Sequence, residues 1–223
     1  MPKVMLTAEQ VRYRFHGHDI AITGLREAYS HLDPEMDFRE AQWNIQPGDI
    51  VIDAGASFGS YTIRAAACGG RVYAFEPRTG DCDIIRRIAA QNGLQDRVDV
   101  RSVALWDSEG QALMDMGPTM SLVRARCEQV VTTTTIDAFV DREGLDVVDW
   151  IKIDTEGAEL QILQGAMETL RRFRPTVIVE CHLFVAADMD DQVTKLIGSI
   201  PGYVTTRHPR PPCMMTVSKR TNE

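Results

Sequence analysis

Apolar residues recur along this chain in two rhythms. From about residue 49 onward, short runs of β-branched and aromatic residues alternate with stretches of helical spacing. That alternation predicts strand–helix–strand units around a mostly parallel sheet, with helices on both faces. Ile50, Val51 and Ile52 form the first buried run, and further strands are predicted over 71–75, 98–103, 147–153 and 176–179. Helical spacing covers 60–68, 81–90, 136–142 and 188–198. Leu160, Leu163, Met167 and Leu170 predict one long amphipathic helix ending at Phe173. Strands are also predicted over 111–116 and 129–135. The four threonines from Thr132 to Thr135 suit a half-exposed edge strand. Residues 203–207 and 214–219 form a closing strand pair around a proline-rich turn.

Ahead of this region, residues 11–15 and 19–23 alternate in strand fashion about His16-Gly17-His18, which predicts a small hairpin. The two histidines could share a face, but no third ligand follows at metal spacing, so they read as solvated turn residues. Asp33-Pro34-Glu35 is a helix start within 24–44. The chain therefore divides into an N-terminal extension or lid over 1–44 and one α/β domain over 45–223.

Length and charge narrow the function. A chain of 223 residues suits one such domain. Lys and Arg number 24 against 32 Asp and Glu, a net charge of −8 with no basic stripe. Nucleic acid and anionic membranes are thus disfavoured as partners. Cys68, Cys82, Cys127, Cys181 and Cys213 are odd in number and scattered, as expected of reduced thiols in a cytoplasmic protein. Neither a signal-peptide pattern nor an apolar run of bilayer-spanning length is present in this sequence.

Ligands of an open parallel sheet bind outside the carboxyl ends of its strands. The predicted ends carry Asp53, Gly55, Ala56, Ser57 and Gly59, then Glu76-Pro77, Ala104-Leu105, Asp154 to Glu159, and Glu180 to His182. Gly55 and Gly59 admit a tight turn before a helix start, and Glu76 follows Asp53 by 23 residues, near the offset at which an acid meets a ribose. The set is acidic and lacks a basic residue, so it disfavours a pyrophosphate. It suits a cofactor with hydroxyls and positive charge, such as S-adenosylmethionine, whose adenine could lie on Leu105.

Three blocks carry a family resemblance: Ile-Asp-Ala-Gly-Ala-Ser-Phe-Gly at 52–59, Ala-Phe-Glu-Pro at 74–77 and Ile-Lys-Ile-Asp-Thr-Glu-Gly-Ala-Glu at 151–159. Continuing to Leu163-Gln164-Gly165-Ala166, they resemble the FkbM methyltransferases over about 48–182. The resemblance implies a Rossmann-like class I fold with a seven-stranded sheet, and S-adenosylmethionine-dependent methylation of hydroxyls on sugars, polyketides or other natural products. It implies that Asp53, Gly55 and Gly59 frame the methionine part of the cofactor and Glu76 the ribose. Ser57 replaces the family's usual Asn.

Hydroxyl methylation needs alignment and removal of a proton. His182 is the preferred base because its ordinary pKa lies near neutrality. Asp154, Glu156 and Glu180 compete or assist. Asp154 and Glu180 could together hold Mg²⁺, yet with His182 they form an incomplete, partly nitrogenous set, so no metal is favoured. Glu159 is expected simply to stabilise the first turn of its helix. The acceptor is a small hydroxylated molecule, and a homodimer is compatible with the chain. Two alternatives remain: a nicotinamide oxidoreductase, which would normally show Gly-x-Gly-x-x-Gly in place of Gly-x-x-x-Gly, and a non-catalytic cofactor-binding scaffold.

Overall fold

The computed structural model describes residues 5–7, 10–23, 43–115, 128–210 and 213–221. The predicted helix start at 33–35 lies outside them. The first elements are β1 (Met5–Thr7), β2 (Gln10–Phe15) and β3 (His18–Thr23), a three-stranded antiparallel sheet. His16 and Gly17 both take positive φ, 44° and 88°, as a tight two-residue hairpin requires.

The main body contains β4 (Ile50–Ala54), α1 (Ser60–Ala67), β5 (Arg71–Phe75), α2 (Thr79–Gln91) and β6 (Val98–Arg101). After a small sheet come α3 (Ile136–Glu143), β10 (Trp150–Ile153), α4 (Glu159–Gln164), α5 (Met167–Phe173), β11 (Thr176–His182), α6 (Met189–Gly198), β12 (Tyr203–Arg210) and β13 (Cys213–Arg220). The small sheet itself is β7 (Ala104–Leu105), β8 (Gly110–Asp115) and β9 (Glu128–Thr134). The seven-stranded sheet has the order β12-β13-β11-β10-β4-β5-β6. β11, β10, β4, β5 and β6 pair in parallel, whereas β13 is antiparallel to both its neighbours. The sheet is thus mostly parallel but mixed. The strand order reverses between β4 and β10, which opens a crevice at their carboxyl ends.

Alternation along the strands feeds two cores. Ile52, Ile151, Ile153, Val177 and Val179 meet Phe139 of α3, Ile162 of α4, Leu170 of α5 and Val193 of α6. Val51, Val72, Trp150 and Ile178 point the other way, toward Tyr61 and Ala65 of α1. Burying each such large side chain contributes about 1.5–3 kcal/mol. Trp43 belongs to this second core, its ring 4.7 Å from Tyr61 and 6.0 Å from Trp150. The N-terminal hairpin covers the outside of α1 and α2 through Tyr13, Phe15, Ile20 and Ile22, which pack with Ile63 and Ile88. Asn92 fastens it by exchanging two 2.8 Å hydrogen bonds with the backbone of Ala21.

Two sequence expectations change. The long helix over 160–173 is broken into α4 and α5 at Gly165-Ala166. A Cβ at Gly165 would lie 2.2 Å from the Trp106 carbonyl oxygen, so the passing segment occupies that space. The carboxylate of Asp137 then accepts from the amides of Glu168 and Thr169 at 3.0 and 2.8 Å, and so satisfies the new helix start. The threonine run is also not an edge: β9 is the middle strand of the order β7-β9-β8. Thr133 and Thr134 turn inward and donate to the Ser108 carbonyl and the Glu109 carboxylate. No described helix is long and apolar enough to cross a membrane.

Candidate active site

The turn after β4 is held from three sides. Gly55 and Ala56 both donate to the Phe75 carbonyl at 3.0 Å, tying the turn to β5. On the opposite side the Asp154 backbone comes so close that a Cβ at Gly55 would lie 2.0 Å from its carbonyl oxygen. From below, Lys152 Nζ donates to the Gly55 carbonyl at 2.7 Å and stands 3.0 Å from Asp53 Oδ1. Asp53 is completely buried, and its Oδ2 accepts from Thr62 Oγ1 at 2.6 Å. Expected to frame the cofactor, Asp53 instead lies beneath the turn and acts on its shape through Lys152. Ser57 and Gly59 both have positive φ, 50° and 83°.

Glu76 links this turn to the next. Its two carboxylate oxygens accept from the amides of Ser57 and Arg78 at 2.9 and 3.0 Å. Burial raises its pKa, against the lowering effect of those two bonds. Pro77 lines a cleft of about 470 Å³ with Arg78, Thr79, Gly80, Ser102 and residues of β9. Ala104 and Leu105 are buried, and Leu105 packs in the first core. An adenine resting on the Leu105 side chain, as the sequence suggested, would need space that the core already fills. The expectation that the strand ends hold no cation also changes, because Lys152 stands beneath one turn and Arg78 beside the other.

At the ends of β10 and β11 the acids converge on one histidine. His182 Nδ1 is 2.6 Å from Glu159 Oε1, while Nε2 lies 3.7 Å from both Asp154 Oδ1 and Glu156 Oε2. Burial would lower the His182 pKa, but the Glu159 bond and the charges of Asp154, Glu159 and Glu156 outweigh it and push it up to about 9. At neutral pH the ring is therefore an imidazolium, which removes the reason for preferring it as a resting base. Glu156 is half-exposed and its pKa is raised, chiefly by burial. It also adopts the left-handed φ of 59° in the connection to α4.

Glu159 is more than a helix-terminal charge. Fully buried, it accepts from Gly157 N at 3.0 Å as well as holding His182, while its Oε2 has no hydrogen-bond partner among the described residues. Its position five residues after Asp154 was legible, but its partner was not, because His182 is 23 residues away in sequence. Glu180 and Asp154, paired in sequence reasoning, fall into different clusters among the described residues. Asp154 groups with Glu156 and His182, whereas Glu180 groups with His182 and Cys213. Phe184 is 55% exposed and packs edge-on against His182 at 5.3 Å, an apolar lip beside the charged cluster.

Comparison with known proteins fits this arrangement. A methyltransferase FkbM domain model matches residues 53–201. The fold is similar to that of methyltransferase FkbM from Methylobacillus flagellatus KT, with a TM-score of 0.62 and 19% identity. That alignment covers 80% of this chain and 46% of the other, so this chain spans about half the length of that relative. An SAM-dependent O-methyltransferase from Thermotoga maritima aligns over 99% of this chain and 86% of its own, with 12% identity and a TM-score of 0.51. A Streptococcus mutans protein assigned as a methyltransferase and solved in complex with SAH aligns over 79% and 91%, with 11% identity and a TM-score of 0.53. A search of curated proteins returned no match. At these identities the structural likenesses speak for the fold, while the domain match spans most of the chain and includes the carboxyl ends of β4, β5, β10 and β11: the chain belongs to the FkbM methyltransferase family.

Proposed function

We propose that this protein transfers a methyl group from S-adenosylmethionine to a hydroxyl of a small molecule such as a sugar, a polyketide or another natural product. The observation that carries the reading is the convergence of Asp154 and Glu156 on His182, at the carboxyl ends of neighbouring strands and beside the Gly55 turn. The donor set fits the cofactor. Carboxylates would repel a pyrophosphate but favour a sulfonium, and Glu76 offers acceptor oxygens for ribose hydroxyls. When bound, the cofactor supplies an electrophilic methyl group for in-line displacement.

The chain's own residues supply orientation and proton handling. Lys152 fixes the Gly55 carbonyl, and Glu76 joins the two turns through the amides of Ser57 and Arg78. Pro77 and Ser102 contribute to the adjoining cleft. Exposed Phe184 gives an acceptor an apolar surface to lie on, next to acids that can receive hydroxyl protons. Among those acids Glu156 combines access with a raised pKa, which brings it closer to the operating pH of a general base. The acceptor is thus a small hydroxylated molecule, and the reaction belongs in the cytoplasm.

Calorimetric titration with S-adenosylmethionine and with NAD tests the cofactor. Binding of the sulfonium compound alone is expected, and binding of NAD alone would replace this reading with a redox one. A screen of hydroxylated metabolites by mass spectrometry should then reveal a product heavier by one methylene. Products methylated only on nitrogen or carbon would overturn the hydroxyl assignment.

A further inference from the structure

The two nitrogens of His182 are used differently. Nδ1 is held at 2.6 Å by Glu159, whose carboxylate is in turn fixed by Gly157 N. Nε2 faces Asp154 Oδ1 and Glu156 Oε2 at 3.7 Å each, beyond hydrogen-bond length. The His182 side chain is only 4% exposed, and its Nε2 is aimed between two carboxylates. One ligand atom from each of the three residues lies within 4.8 Å of the other two. Ligands about 2.1 Å from a common tetrahedral ion stand about 3.4 Å apart, so the observed separations need only small side-chain movements.

We propose that Asp154, Glu156 and His182 bind a divalent first-row transition ion, which displaces the proton from Nε2 on binding, with Glu159 as the residue that positions the imidazole. A carboxylate on the far nitrogen is the common support of a metal-bound histidine, because it fixes the tautomer and aims the other nitrogen. One imidazole and two carboxylates suit Mn²⁺, Fe²⁺ or Zn²⁺ better than Mg²⁺, which prefers an all-oxygen octahedron. The second cluster, Glu180, His182 and Cys213, shares His182. Its one remaining nitrogen cannot serve both clusters, and that nitrogen stands 3.7 Å from Asp154 and from Glu156. The ion's purpose rests on the methyl-transfer reading: it would bind the acceptor hydroxyl and ease loss of its proton.

The test uses the full chain, freed of metal with EDTA and dialysed, then titrated with Mn²⁺ while the signal of free aqueous Mn²⁺ is followed by electron paramagnetic resonance. One ion per chain is expected. Asp154→Asn and Glu159→Gln should each weaken binding about 10-fold or more. Circular dichroism checks that the variants fold, and Glu156→Gln, at a half-exposed position, serves if Asp154→Asn does not. No binding by the wild type would overturn the proposal. So would loss of binding in Glu180→Gln with none in Asp154→Asn, which would assign the ion to the other cluster. Calorimetry with S-adenosylmethionine in EDTA reads the cofactor site separately. Cofactor binding without Mn²⁺ binding removes the ion and keeps the methyl-transfer reading, and the reverse result does the opposite.

Discussion

Lys152 and Asp53 face each other across β10 and β4, with Nζ 3.0 Å from Oδ1 and side chains 3% and 0% exposed. The same ammonium reaches the Gly55 carbonyl, so a buried ion pair sets the shape of the turn at the mouth of the site. Removing the cation leaves a buried carboxylate without its counter-charge. Lys152→Met should therefore cost about 3–5 kcal/mol, and Asp53→Asn in the same chain should recover part of that loss. Urea denaturation of the two single variants and the double variant measures both effects.

Gly55 tests how closely the turn and β10 must approach. Its φ is 74°, and an added Cβ would meet the Asp154 carbonyl at 2.0 Å, where backbone on both sides would have to move. Gly55→Ala should lower stability by about 2 kcal/mol or more and weaken cofactor binding at least about 10-fold. Gly198→Ala is the control. Beyond its own helix and chain neighbours, no atom of the described residues lies within 4 Å of the added carbon there, and φ is ordinary.

Glu156 is the acid on which turnover should depend. Glu156→Gln keeps the shape and removes the carboxylate charge on which both proton transfer and the proposed ion depend, so turnover should fall about 10²-fold while affinity for S-adenosylmethionine changes little. Steady-state methyl transfer and calorimetry, run side by side, separate these effects.

The cluster around His182 makes stability depend on pH. Its pKa is raised from an ordinary 6.5 to about 9, so the folded chain holds this proton more tightly than the unfolded one. The stabilisation is fully present below pH 6.5 and disappears as pH rises through about 9. A shift of that size corresponds to about 3 kcal/mol. Denaturation midpoints of metal-free protein from pH 6 to 10 should decline for the wild type and change much less for His182→Gln.

Much of this fold was legible because its information is local. The β-branched run at Ile50–Ile52, the glycines after it and the acid at Glu76 each announce a strand end without reference to distant residues. What escaped depended on contacts across the chain. Gly165 looks like one tolerated helix residue until the Trp106 carbonyl occupies its missing side chain's place. The threonine run has edge-strand composition, yet β7 and β8 flank it and turn two hydroxyls inward. In the site, Asp154 and His182 were legible as strand-end chemistry. The ionisation of His182 was not, because it follows from three carboxylates converging on one ring. Ser57, which stands where the family usually has Asn, occupies a left-handed conformation that Asn adopts more readily. Ser57→Asn should therefore stabilise the turn slightly, by about 0.5 kcal/mol, as read from thermal midpoints.

The antiparallel direction of β13 gives the crevice an adjustable border. Because β13 runs against β11, it begins where β11 finishes, and Cys213 stands opposite His182. The hairpin end between β12 and β13 is therefore delivered to the same rim as the acids around His182, by strands that contribute nothing to the Gly55 turn. Insertions or exchanges at that hairpin end can alter which acceptors reach His182 while the cofactor turn and its buried ion pair stay unchanged. Under the proposed function, acceptor choice and cofactor use rest on separable parts of one sheet, and the C-terminal hairpin is where a new specificity can be grafted.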